Sequence, residues 1–196
     1  MTEPDNRESL RPILIVLPNG YADWETPMIS AAGADFYGVQ VRHATPGGGD
    51  VVSMAGLRVT GLPDIAPRSD EIIVLCGGDI WASDNPPEVE GMLRKARDAG
   101  HVIAGICAGV TALARAGLLE GTDHTSNGTD FMDSVVPGYA GRERHRDTPR
   151  ALSDNGIITA PGTAPRSFAE EVLRAAGVPE DQLNQMRALL QAENTA

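Results

Sequence analysis

Four short runs dominated by branched apolar residues, over 12–17, 71–76, 101–106 and 156–159, punctuate this chain. Their length and β-branching suit strands buried on both faces. Between them the apolar positions recur at helical spacing. Trp24, Met28, Ile29 and Ala32 predict a helix over 23–35, and further helices follow over 86–99, 110–116, 165–176 and 179–192. The 86–99 helix opens on prolines, where they are tolerated. A strand over 38–44, a turn at 46–49 leading into a hairpin that ends near 60, and a strand over 123–127 complete the pattern. Residues 128–148 carry no readable period, and Ser153-Asp154-Asn155-Gly156 reads as a turn. Strand and helix alternate nearly throughout, which predicts an α/β fold with a mostly parallel sheet. No repeat or linker divides the chain, so the expectation is a single domain over 1–196 with a polar tail over 1–10.

The junction at Cys107 is compressed. The 101–106 strand pattern gives way to the 110–116 helix pattern with little room for a loop. A chain turning that sharply holds the turning residue in strained φ/ψ and lifts its side chain off the sheet. The small neighbours Gly105, Ala108 and Gly109 let the backbone pass and bare amide groups at the helix start. Those amides and the helix dipole predict a thiol that ionises more easily than a free cysteine. This is a nucleophile elbow with cysteine in place of serine; the plainer alternative is a small core hydrophobe.

Composition changes the picture only by exclusion. With 41% hydrophobic and 22% charged residues in 196, the chain is ordinary for a globular protein. A formal charge of −11 with no offsetting basic block argues against nucleic acid. Arg142-Glu143-Arg144-His145-Arg146, the one basic cluster, reads as a solvated loop face. No apolar stretch is long enough to span a membrane. The polar N-terminal residues lack a secretory core, and two cysteines are too few for a disulfide framework, so the expected location is the cytoplasm.

Ligands of open parallel sheets gather at the carboxyl ends of strands. Three such ends carry candidate chemistry: the loop after Leu17, Gly77-Gly78 after Cys76, and Cys107. The amide of the Gly77-Gly78 pair could join that of Ala108 as an oxyanion hole, or the pair could simply make a tight turn. In the first loop Asp23 suits a helix N-cap. Glu25 falls either in the first helical turn for dipole reasons or in the cleft beside Cys107. A carboxyl held near a thiolate would itself be protonated, and could donate to the sulfur or shuttle a proton. Cys76 is either buried or the redox partner of Cys107. Trp24 and Trp81 either wall the pocket or pack. His43, His101 and His145 have no metal-ligand spacing, and neither metal nor cofactor is expected.

Together, Ile106-Cys107-Ala108-Gly109, Gly77-Gly78 after a strand, Gly20 with Glu25-Thr26, and Pro161-Gly162-Thr163 before the late helix resemble the ThiJ/PfpI superfamily. The resemblance runs from Ile13 to about Val178. Members include the parkinsonism-associated deglycase, glyoxalase III-type enzymes, isonitrile hydratases and a protease-like branch. The resemblance implies a flavodoxin-like three-layer sandwich of the class I glutamine-amidotransferase-like kind, usually a homodimer. It also implies Cys107 as nucleophile, Glu25 as its acidic partner, and the amides of Gly78 and Ala108 as an anion hole. The departures bear on activity. Ala108 stands where the protease-like branch has histidine, and Asn127 where the deglycase branch has histidine. His124 lies three residues earlier, either catalytic or a hydrogen-bonded strand-end residue; on a strand, an inward Asn127 turns His124 away. Isonitrile hydratases resemble this site but tend to use Asp where Glu25 stands. The chain looks most like a bacterial subgroup labelled glutamine-amidotransferase-like, yet the late His and Glu pair of true amidotransferases is not found.

The expected activity is therefore a cysteine-dependent hydrolase or lyase acting on a small electrophile, of glyoxalase III or deglycase type. A dicarbonyl such as methylglyoxal fits a short pocket without a second base. The alternatives are isonitrile hydration and a non-enzymatic redox sensor or stress protein. Peptide and glutamine hydrolysis are not expected, for want of the histidine.

Overall fold

The computed structural model describes residues 10–192; of the expected N-terminal tail, residues 1–9 lie outside the described residues. At its centre are β1 (Ile13–Val16), β2 (Val41–Ala44), β5 (Ile72–Leu75), β6 (Ile103–Ile106), β7 (Leu152–Asp154) and β8 (Ile157–Ala160). They form one sheet in the order β2-β1-β5-β6-β8-β7. All neighbouring pairs are parallel except β7 with β8. Every residue of β1, β5 and β8 is buried, as the unbroken apolar runs predict.

Each sheet face carries its own apolar layer. Leu14, Val16, Ile73 and Leu75 pack under α2 (Glu90–Asp98), α3 (Gly109–Arg115) and α4 (Thr129–Val135), through Leu93, Leu113 and Met132. Ile13, Ile15, Ile72 and Val74 pack on the other side against α5 (Pro165–Ala175) and α6 (Glu180–Ala192), through Phe168, Leu173 and Leu183. Fully burying such a side chain stabilises by about 1.5–3 kcal/mol. The result is a mostly parallel sheet between two helical layers, the flavodoxin-like three-layer sandwich. No helix among the described residues is long and apolar enough to cross a membrane.

Several boundaries differ from the sequence pattern. The expected 23–35 helix starts late: a π-helical turn, Met28–Ala32, leads into α1 (Gly33–Asp35). Asp23 is not its N-cap, because its Oδ2 accepts the Ala55 amide at 2.9 Å. Ala55 lies in the loop between β3 (Gly49–Val52) and β4 (Arg58–Leu62), the expected hairpin, which forms a separate two-stranded sheet. The expected strand over 123–127 reduces to one bridge, His124 to His145. The turn expected at 153–156 is present at Asn155-Gly156, but it closes a hairpin whose first strand, β7, the pattern did not predict. Asn155 (φ 49°) and Gly156 (φ 71°) turn β7 back onto β8 as an antiparallel edge.

The chain proceeds from β1 outward to β2 and then returns to the opposite side of β1 as β5. Such a reversal opens a crevice at the carboxyl ends of the strands. The loops leaving β1, β5, β6 and β8 meet there.

Candidate active site

Cys107 follows β6 directly, and α3 starts two residues later at Gly109. Its φ is +57°, a left-handed conformation that costs a non-glycine residue about 1 kcal/mol or more. The Cys107 amide donates to the Ala160 carbonyl at 2.9 Å and its carbonyl accepts from Val110 at 3.2 Å, which holds the turn from both sides. Gly109 lets α3 begin so soon, since a Cβ there would stand 2.7 Å from the Leu75 carbonyl oxygen.

Glu25 comes from the loop after β1. That loop is pinned across the sheet end by the Tyr21 to Gly78 bridge and by Ala22 N–H to the Gly77 carbonyl at 3.0 Å. The late helix start leaves Glu25 in the preceding turn, free to point inward, and it is fully buried. Its Oε2 accepts the Gly77 amide at 2.6 Å and lies 3.7 Å from Cys76 Sγ. Oε1 is buried with no well-angled hydrogen bond among the described residues. A Cβ on Gly162 would stand 2.8 Å from Cys107 Sγ and 3.4 Å from Glu25 Oε1, so sulfur and carboxyl flank one point.

Asn127 ties the sulfur to the opposite wall. Its Nδ2 donates to Cys107 Sγ at 3.2 Å, and its Oδ1 accepts the Gly162 amide at 2.9 Å. Trp24 closes one side, its indole N–H donating to the Gly162 carbonyl at 3.0 Å. These groups border a cavity of about 870 Å³, whose far wall is Asp147, Thr148 and Pro149.

Burial dominates the titration of the pair. It pushes the Glu25 carboxyl up to about 7 against the pull of the Gly77 amide and the Cys107 and Cys76 thiols. Burial also pushes the Cys107 thiol up, and the Glu25 carboxylate adds to it; the Asn127 side chain and the Ala108 amide pull it down. The expectation of a thiol lowered by the helix start is thus corrected. α3 has only seven residues, and desolvation outweighs its dipole. The two groups titrate as a unit: both are protonated in acid, and one proton is left between them above about pH 7.

Asn127→Asp tests this wiring. It keeps the acceptor for Gly162 but sets a carboxylate against the sulfur. Iodoacetamide alkylation of Cys107 at pH 7 is expected to slow about tenfold. Wild-type kinetics would mean that Asn127 does not govern the thiol.

The other sequence candidates divide between this site and the packing around it. Gly77 contributes its amide to Glu25, and Gly78 is extended and packed on Gly20. His124 is fully buried, with Nδ1 on the Thr122 carbonyl at 2.7 Å and Nε2 on the Tyr139 hydroxyl, away from Cys107. Cys76 is buried, its thiol pushed well up by burial and then by Glu25. Trp81 packs, donating to the Cys76 carbonyl at 2.8 Å. The basic cluster is an ion-paired wall: Arg142 meets Asp133, and Arg144 and Arg146 meet Asp123. Sequence reasoning passed over Ser126 and His145, which lie beside Asn127; no local motif marks them, because tertiary pairing brings them together. No cluster of three or more His, Cys, Asp or Glu suited to a metal occurs among the described residues.

Over 94% of its length this chain superimposes on all of the crystal structure of the DJ-1 superfamily protein Atu0886 from Agrobacterium tumefaciens, with a TM-score of 0.88 and 36% identity. It is 29% identical over 190 residues to the protein dj-1beta of Drosophila melanogaster, covering 92% of this chain and 97% of that one. It is also 36% identical over 129 residues to "Uncharacterized protease YoaZ" of Bacillus subtilis, a match spanning 63% of this chain and 60% of that protein. Residues 11–175 match the DJ-1/PfpI family itself, and the chain belongs to that family.

Proposed function

We propose that Cys107 is the nucleophile of an enzyme that converts a small 2-oxoaldehyde, methylglyoxal being the simplest, to a 2-hydroxy acid. The observation that carries this reading is the buried Oε1 of Glu25, unpartnered and beside a sulfur that opens on the cavity. Above about pH 7 one proton is shared between that oxygen and the sulfur, and the reactive form is the one that carries it on Oε1. The Asn127 side chain and the Ala108 amide both favour charge on the sulfur, and a protonated Oε1 gains in Sγ the partner it otherwise lacks.

The thiolate adds to the aldehyde carbon, and the Glu25 proton passes to the new oxygen. The Glu25 carboxylate then takes the hydrogen of that carbon as a proton and returns it to the neighbouring carbonyl carbon. As the hydroxyl proton shifts from the first oxygen to the second, the first carbon is oxidised and the second reduced, which leaves the 2-hydroxyacyl group on sulfur as a thioester. Water hydrolyses the thioester and restores the thiol. The Ala108 and Gly78 amides are assigned to the developing oxyanion. Peptide hydrolysis is disfavoured because Ala108 leaves the sulfur no adjacent imidazole.

Steady release of lactate from methylglyoxal, lost in Cys107→Ser, is the expected result. Stoichiometric oxidation of Cys107 by peroxide, with no turnover of any aldehyde, would replace this reading with a redox-sensing one.

A further inference from the structure

Resting on that reading, we propose that His145 acts through the Ser126 hydroxyl as the base that takes the water proton when the Cys107 thioester is hydrolysed. Thioester release needs a proton acceptor for water arriving from the cavity, and Glu25, fully buried, does not border that cavity whereas Ser126 does.

Ser126 and Asn127 are consecutive, and both line the cavity with Cys107. Ser126 Oγ lies 2.9 Å from His145 Nε2. The same oxygen accepts the Gly128 amide at 3.2 Å, and the competing acceptor for its proton, the Gly128 carbonyl, is farther away at 3.3 Å. The serine proton is therefore best placed on the imidazole. The ring is held from behind: Arg146 N–H donates to the His124 carbonyl at 2.8 Å and His124 N–H to the Arg144 carbonyl at 3.2 Å, which locks 144–146 to the Asn127 segment.

His124 is unsuited to the task. Its Nδ1 faces a carbonyl and must carry the hydrogen, so Nε2 accepts from the Tyr139 hydroxyl and both nitrogens are engaged. The groups that act on His145 are the edge-on His124 ring, Asp147 and Arg142. Burial, His124 and Arg142 lower the His145 imidazole and Asp147 raises it, with a net lowering that leaves a free base at neutral pH.

In the step itself, water oxygen bonds to the thioester carbon while its proton moves to Ser126 Oγ. The serine proton moves to His145 Nε2. The carbon–sulfur bond then breaks with its electron pair on sulfur, and the imidazolium returns the proton to bulk water or to the thiolate. Atoms and charge balance as thioester plus water giving acid plus thiol.

Rapid mixing with 4-nitrophenyl acetate separates the stages. A burst of nitrophenolate reports acetylation of Cys107, and the following steady phase reports acetate release. His145→Asn is expected to keep both the burst and the rate of iodoacetamide alkylation. Its steady phase should fall about 100-fold and lose the acidic limb of its pH profile. Ser126→Ala should do the same. A wild-type protein with no burst would overturn the nucleophile reading and the relay with it. A wild-type burst together with an unchanged steady phase in His145→Asn, or one that falls equally at every pH, would overturn the relay alone.

Discussion

Gly77→Ala should lose most of the reactivity of Cys107 and destabilise the fold by about 3 kcal/mol. The added methyl would stand 2.6 and 2.7 Å from the two Glu25 oxygens and 2.8 Å from Cys107 Cβ, so no single small shift relieves it. Overpacking of this kind costs about 1–3 kcal/mol. Expelling the carboxyl also strips Oε2 of the Gly77 amide, and a buried polar group left unpaired costs about 1–3 kcal/mol more. The denaturation midpoint and the alkylation rate at Cys107 are the measurements. Gly91→Ala in α2, where a methyl meets open space, is the control. If Gly77→Ala matched that control in both, the sulfur and the carboxyl would not be packed across residue 77.

The Glu25 carboxyl predicts a distinctive pH dependence of stability. Its value is about 7 in the folded protein against an ordinary 4.5, so between those values the folded state binds more protons than the unfolded one. Stability from this group is therefore greatest in the protonated range and falls as pH rises from 4.5 through 7, by about 3 kcal/mol in all. Glu25→Gln cannot ionise and should flatten that slope in urea titrations. A slope in the variant equal to that of the wild type would sink the assignment. Glu25→Leu also removes the charge that helps hold the Cys107 thiol up, so the alkylation midpoint of Cys107 is then expected to fall.

Much of this architecture is legible in the sequence. β1, β5, β6 and β8 are buried on both faces, so their sequences are apolar without interruption, and period alone locates them. The compressed junction at Cys107 was legible for a related reason: only small residues permit it. What escaped depends on partners distant in sequence. Asp23 looks like a cap until the Ala55 amide from the hairpin loop claims it, and that shift leaves Glu25 ahead of the helix. β7 is a three-residue edge strand with mixed burial, too short for a period, although Asn155-Gly156 is a hairpin signal that was available. The 123–127 segment is strand-like in composition but finds its partners in side chains, such as Thr159 Oγ1, which accepts the Thr125 amide at 2.9 Å. The direction of the thiol shift is not legible in this way, because desolvation, its largest cause, cannot be gauged from neighbours in sequence.

The chain holds only two tryptophans, and they could hardly differ more in setting. Trp81 is fully enclosed, whereas Trp24 is about half exposed at the cavity rim and hydrogen-bonded to Gly162. Polarity changes at that rim reach one indole and spare the other. The protein thus carries its own optical gauge of occupancy, in which shifts of emission wavelength on ligand addition originate at Trp24 over a constant signal from Trp81.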